Sequence, residues 1–130
     1  MRIERLDHLV LTVADIEETC AFYTRVLGMT VVTFGPEDPD KRRTALRFGQ
    51  QKINLHAVGR APGLVAAKPT PGSADLCFVA ATPLAEIVAH LTALGVPVEA
   101  GPGPRAGALG EIQSVYIRDP DRNLIEISNY

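Results

Sequence analysis

Two of the three histidines, His8 and His56, and two carboxylates, Asp75 and Glu126, stand in stretches where apolar and polar residues alternate. His8 precedes the pair Leu9 and Leu11. His56 lies between Leu55 and Ala57 and shares its phase with Asn54, and Glu126 lies between Ile125 and Ile127 and shares its phase with Ser128. Asp75 precedes Leu76 and Phe78, in phase with Cys77. In a strand, alternate side chains point to opposite faces, so all four ionisable groups are predicted on the face away from the apolar core. Two neutral imidazoles and a carboxylate can ligate a divalent transition metal and leave positions open for water or substrate. Asp75 could be a fourth ligand, a partner orienting an imidazole, or a base beside the metal. A lone strand histidine is ordinarily a core or surface residue, so the case rests on the matched positions.

The elements that must carry these groups follow from periodicity. RLDHLVLTV (5–13) alternates like a strand with one apolar face. Asp15 is a candidate N-cap, with Glu17 and Glu18 in the first turn. Ile16, Cys20, Tyr23 and Leu27 then mark a helical stripe over 16–27 that Gly28 stops. Strands are expected at 29–34, 44–49 and 52–58, with the polar loop 36–43 and a tight turn at Gly49, Gln50 and Gln51 between them. The Gly/Pro/Ala-rich stretch 59–73 has no period and reads as a linker. A strand at 75–80 follows, then Thr82 as N-cap with Pro83 in the first helical position. Leu84, Ile87, Val88, Leu91 and Leu94 form the next helical stripe, stopped by Gly95. Strands are expected at 96–100, 111–118 and 123–129, with 101–110 a flexible loop and Asp119-Pro120-Asp121-Arg122 a turn.

The second half copies the first. Residues 8–31 align without a gap on 75–98, matching Leu9 with Leu76, Ala14 with Ala81, Leu27 with Leu94, Gly28 with Gly95 and Val31 with Val98. Further on the offset grows to 70, which pairs His56 with Glu126. Each half reads βαβββ, an α+β arrangement in which a helix covers one sheet face and the other faces can form a shared concavity.

The chain has 130 residues, room for one compact unit. Hydrophobic residues make up 46% but aromatics only 5%, so the core is aliphatic. A net charge of −2 argues against nucleic acid or an anionic membrane as partner. No apolar run is long enough to span a bilayer, and MRIERLDHLV lacks the core of a signal peptide. Cys20 and Cys77 read as buried reduced thiols, which fits a cytoplasmic protein.

The opening DHLVLTV, the helix AFYTRVLGM, the ending YIRDPDRNLIEISNY and the βαβββ duplication together resemble the vicinal oxygen chelate superfamily of glyoxalases, bleomycin-resistance proteins and extradiol dioxygenases. The run GALGEIQSVYIRDPDRNLIEISNY is particularly similar to small glyoxalase-domain proteins. The resemblance implies a single α+β domain of two tandem modules, 4–58 and 74–130 joined by 59–73, whose curved mixed sheet surrounds a concave site. It implies metal ligation by His8, His56 and Glu126, with Glu126 and Asp75 catalytic. The metal would be a divalent ion such as Ni, Co, Zn, Mn or Fe(II). Asp75 stands where relatives carry a histidine ligand, and Arg122 replaces the usual glycine of the Asp-Pro-Asp-Gly-Asn turn. Arg47, Arg105 and Tyr116 are candidate substrate contacts; a surface arginine, a mobile-loop arginine and a structural phenol are their plainer readings. The implied function is a glyoxalase-like isomerase or lyase acting on a small oxygen-bearing substrate through an enediolate, in a homodimer. A non-catalytic protein that sequesters a small molecule is the alternative.

Overall fold

The computed structural model describes residues 1–60 and 63–130. Of the expected linker, Ala61 and Pro62 lie outside the described residues. The chain divides into two compact units, Met1–Pro71 and Gly72–Tyr130.

The first unit contains β1 (His8–Val13), α1 (Ile16–Leu27), β2 (Thr30–Phe34), β3 (Arg43–Phe48) and β4 (Gln51–Ala57). Its sheet order is β1-β4-β3-β2, with β1 and β4 parallel and the other pairs antiparallel. Asp15 caps α1 by accepting the Glu18 N–H at 2.8 Å. Gly28 closes the helix in the left-handed conformation (φ 67°), donating to the Thr24 carbonyl, which a side chain there would resist. The buried stripe of α1 is Thr19, Tyr23 and Val26, rotated from the expected one, since Ile16, Cys20 and Leu27 stay partly exposed. Thr19 enters the core because its hydroxyl donates to the Asp15 carbonyl at 2.8 Å, which removes the cost of burying it. Leu11, Val13, Leu46, Ile53 and Leu55 form the opposing sheet face.

The second unit contains β5 (Asp75–Val79), α2 (Leu84–Ala93), β6 (Ala100–Gly107), β7 (Gly110–Arg118) and β8 (Leu124–Asn129). Its order, β5-β8-β7-β6, repeats the first, with β5 and β8 parallel. Ile87 and Leu91 of α2 pack toward Val115, Ile117, Ile125 and Ile127. The fold is thus α+β, two βαβββ modules each with a four-stranded mixed sheet and one helix.

Four local expectations fail here. Thr82 does not cap α2: Pro83 occupies the cap with extended ψ, and no side chain bonds the helix start. The strand expected at 96–100 is irregular, and the expected loop 101–110 is instead largely β6. Its glycines and prolines mimic a loop signal, but β6 ends its sheet, where a missing proline N–H is tolerated. The register shifts between Ala100 and Gly103. There Gly101 (φ 87°) runs so close to β7 that a Cβ would strike the Ser114 carbonyl oxygen. Finally, Cys77 is exposed and Cys20 only half-buried, so neither thiol is a core residue.

Candidate functional site

The open face of the first sheet carries His8, Val10 and Thr12 from β1, Lys52, Asn54 and His56 from β4, and Arg43, Ala45 and Arg47 from β3. His8 Nδ1 lies 2.8 Å from Asp7 Oδ1, a contact that orients the ring and leaves Nε2 outward. The same contact holds the Asp7 carboxyl below its ordinary pKa. His8 pairs with Lys52, which pairs in turn with the exposed Arg47. His56 pairs with Thr12, four positions further along, so the two histidines stand about 13 Å apart along the strand direction at ~3.3 Å per residue. The structure does not bring His8 and His56 together. Burial, and then Arg43, lower the pKa of His56. His56 opens into a cavity of about 460 Å³ rich in basic side chains.

Between these rows lies Asn54, paired with Val10 and Ala45. Its Oδ1 is buried without a hydrogen-bond partner. Register also identifies its counterpart. His8 and Asp75 each open the parallel pair of their sheet, opposite Lys52 and Leu124. Counting on from there, Asn54 matches Glu126 and His56 matches Ser128. The expected pairing of His56 with Glu126 is therefore two residues out of step, by an offset of 70 rather than 72. The slip preserves strand phase, so face alternation alone could not detect it.

In the second unit the open face is largely polar, with Leu124 and the exposed Val79 at its apolar points. Ser114 Oγ donates to Glu126 Oε1 at 2.6 Å and lies 2.8 Å from Ser128 Oγ, which lies 3.3 Å from Cys77 Sγ. Both serines are fully buried. Tyr116 pairs with Glu126, and Cys77 pairs with it from the other side. Arg105 donates from Nε to the Tyr116 hydroxyl at 3.2 Å and lies over its ring. Burial raises the Tyr116 pKa, with Arg105 opposing and the Glu126 carboxylate adding to the rise. Burial likewise raises the Cys77 thiol, and the Glu126 and Asp75 carboxylates reinforce it. Asp75 is exposed at the strand start. The unit thus gathers Arg105, Tyr116 and Glu126 into one network, with Asp75 on the same face. Ser114 and Ser128 orient the carboxylate; phase placed Ser128 on this face, and only the structure shows that both serines hold Glu126.

As for a metal, the first unit offers the oriented His8 nitrogen and the unpartnered Asn54 Oδ1, and the second the carboxylate oxygens of Asp75 and Glu126, donors of the kind borderline and hard divalent ions accept. These donors fit such an ion. The surroundings of His56, with Arg42, Arg43 and Arg60 lining its cavity, repel a dication. Within either unit, no three His, Cys, Asp or Glu side chains cluster among the described residues.

Two tandem βαβββ modules with polar open faces define the class, and the comparisons agree. The family model described as Glyoxalase/Bleomycin resistance protein/Dioxygenase superfamily matches residues 5–127, and the chain belongs to that superfamily. It is 53% identical to the virulence protein STM3117 of Salmonella typhimurium over 130 residues, covering 100% of this chain and 87% of that protein. The crystal structure of STM3117 superposes with a TM-score of 0.94, covering 100% of this chain and 99% of that one. The glyoxalase domain-containing protein RDO1 of Mycosarcoma maydis is 50% identical over 100% of this chain and 70% of its own length. A lactoylglutathione lyase from Agrobacterium tumefaciens is 26% identical with a TM-score of 0.72, covering 99% of this chain and 96% of that one. The fosfomycin resistance protein FosX of Listeria monocytogenes, complexed with Mn(II) and sulfate, shares the fold at 20% identity and a TM-score of 0.63, covering 99% of this chain and 94% of that one. Among the described residues no helix is long and apolar enough to cross a membrane.

Proposed function

We propose that the protein is a divalent-metal-dependent enzyme of the glyoxalase-like group, an isomerase or lyase that moves a proton next to a carbonyl of a small oxygen-bearing substrate. The observation that carries this reading is the Glu126 carboxylate, held on an open polar face by the Ser114 hydroxyl at 2.6 Å. A carboxylate fixed in this way can accept a carbon-bound proton or ligate a cation, and Asp75 on the same face is a second candidate base. In the second unit Asp75 and Glu126 would hold the ion, which supplies Lewis-acid polarisation of a substrate oxygen when bound. Tyr116 and Arg105 would position that oxygen, the phenol as donor and the guanidinium as counter-charge. Homodimeric assembly and cytoplasmic residence complete the reading. The likeness to a lactoylglutathione lyase supports this chemistry.

Metal analysis of untagged protein reconstituted with Ni, Co, Zn, Mn or Fe(II) tests the reading, with Glu126→Ala run alongside. About one ion per chain in the wild type, and loss of it in the variant, is the expected result. Failure of every ion to bind sinks it. A second reading, sequestration of a small molecule without turnover, draws on Asp75 standing where the family pattern places histidine. A bound ligand whose affinity is indifferent to Glu126→Ala and to metal removal would favour it.

A further inference from the structure

The first unit carries a cavity that the proposed metal chemistry does not use. It lies at the end of the sheet where β1 and β4 finish, and its volume is about 460 Å³, within the range of small-ligand sites. Lys41, Arg42, Arg43 and Arg60 line it together with His56 and the single carboxylate Asp40. Two of these cations are already engaged: Lys41 lies 3.7 Å from Asp38, and Arg42 donates to Thr33 Oγ1 at 2.9 Å. Arg43 and Arg60 have no carboxylate within ion-pair distance among the described residues. Arg43 precedes Thr44, the partner of Leu55, and so stands beside His56 on the open face. The remaining wall is apolar, from Ile16, Pro36 and Ala57. The start of α1 adds no anion site of its own, because the Asp15 carboxylate already stands there and accepts the Glu18 N–H.

We propose that this cavity binds a small organic anion, a carboxylate or a phosphate ester with a short apolar body, through the guanidinium groups of Arg43 and Arg60 with His56 as hydrogen-bond partner. Guanidinium forks match the two oxygens of either oxyanion, and a partly enclosed site weakens their competition from water. An excess of four cations over the one carboxylate, Asp40, is the charge complement of such a ligand. The apolar wall sets aside room for carbon rather than for a second charged end.

Titration of the full-length protein with inorganic phosphate and, separately, with malonate, followed by NMR at low ionic strength, tests the site. Saturable shifts centred on His56 and the Arg43 side chain are expected, with a dissociation constant of about 1 mM or tighter. The stronger of the two ligands assigns the oxyanion. The double variant Arg43→Gln/Arg60→Gln is expected to weaken binding at least ~10-fold, while Arg25→Gln at the end of α1 leaves it unchanged. Both exchanged side chains are exposed, and an unshifted thermal midpoint verifies the fold. Glu126→Ala is expected to retain anion binding, so failure of the metal reading and failure of this one are separate results. Absence of saturation with both anions, or equal weakening by the Arg25 variant, overturns the proposal.

Discussion

Position for position, Asn54 in the first unit answers Glu126 in the second, yet their surroundings differ in kind. Glu126 is a charged acceptor with buried serine hydroxyls beside it, whereas Asn54 is neutral and its buried oxygen has no hydrogen-bond donor. An unsatisfied buried amide oxygen costs about 1–3 kcal/mol, so the first unit carries a local penalty that the second has removed. The basic side chains differ as well. In the first unit Arg43 and Arg60 line a cavity, and in the second Arg105 and Arg118 are bonded to a phenol and a carboxylate. Duplication has kept the sheet and let the two open faces diverge, one toward a satisfied anionic group and the other toward unspent cationic and acceptor capacity.

The largest effects are expected where that contrast is broken. Glu126→Ala should lower divalent-cation affinity at least ~100-fold, and Ser114→Ala, which only releases the carboxylate, about 10-fold. Asn54→Asp makes the first unit resemble the second and should raise cation affinity about 10-fold. Calorimetric titration with Mn and Zn measures all three. If Glu126→Ala binds either ion as the wild type does, the Glu126 carboxylate is not a metal ligand.

Next in size is a difference between the β-turns. The first unit joins β3 and β4 through Gly49 and Gln50, a tight connection built on a left-handed glycine (φ 49°). The second uses Asp119 to Asn123, in which Asn123 is buried and bonded on three sides. Its N–H and Nδ2 donate to the Asp119 carboxylate at 2.9 and 2.8 Å, and its Oδ1 accepts from Ala74 at 2.8 Å. Asn123→Ala should cost about 2–3 kcal/mol, because it strands buried partners on both sides. Chemical denaturation at neutral pH measures this. Arg122 in the same turn is the one non-glycine residue at positive φ (71°) among those described. Restoring the family's glycine by Arg122→Gly relieves a strained backbone but gives freedom to the unfolded chain, so a stabilisation of only about 0.5–1 kcal/mol is expected. An equal destabilisation would show that the arginine side chain earns its position.

These contrasts also mark what the sequence could and could not disclose. Face assignment was legible: His8, Asp75, Tyr116 and Glu126 lie where alternation puts them, because a two-residue period is imposed by the pleat itself. Helix stops at Gly28 and Gly95 were legible because left-handed backbone selects glycine. Partnership across strands was not. Matching His56 to Glu126 satisfied alternation and a plausible ligand pair, but register depends on loop and turn lengths: Arg47 already answers Arg118 at an offset of 71, and the second unit's longer turn adds one more, so Lys52 answers Leu124 at 72. Asn54 carries no signal in the sequence, because an amide is an ordinary strand residue unless its oxygen is buried without a donor. The edge strand β6 was hidden for another reason: Gly101 and Gly107 serve close approach to β7, which only tertiary packing defines.

The smallest expected effect concerns the ion pair that closes the second sheet's open edge. Arg118 donates from Nε and Nη2 to the two carboxylate oxygens of Glu99, each at 2.7 Å, and no paired bonding of this kind occurs in the first unit among the described residues. The hydrogen bonds hold the Glu99 carboxyl below its ordinary pKa of 4.5 and raise that of Arg118. Because the folded value is the lower one, the unfolded chain takes up the proton first as pH falls. The pair's contribution is therefore complete above pH 4.5, declines as acidity increases through that value, and disappears below the folded pKa. Both side chains are partly solvated, so salt screens the pair and the slope is shallow. Arg118→Gln should flatten the stability profile below pH 4.5 while leaving the first unit's Asp7 and His8 contact untouched. Denaturation midpoints of wild type and variant across that range measure the difference. Parallel profiles would place the acid sensitivity of the fold elsewhere, and an added salt series should shrink the difference if the pair is its source.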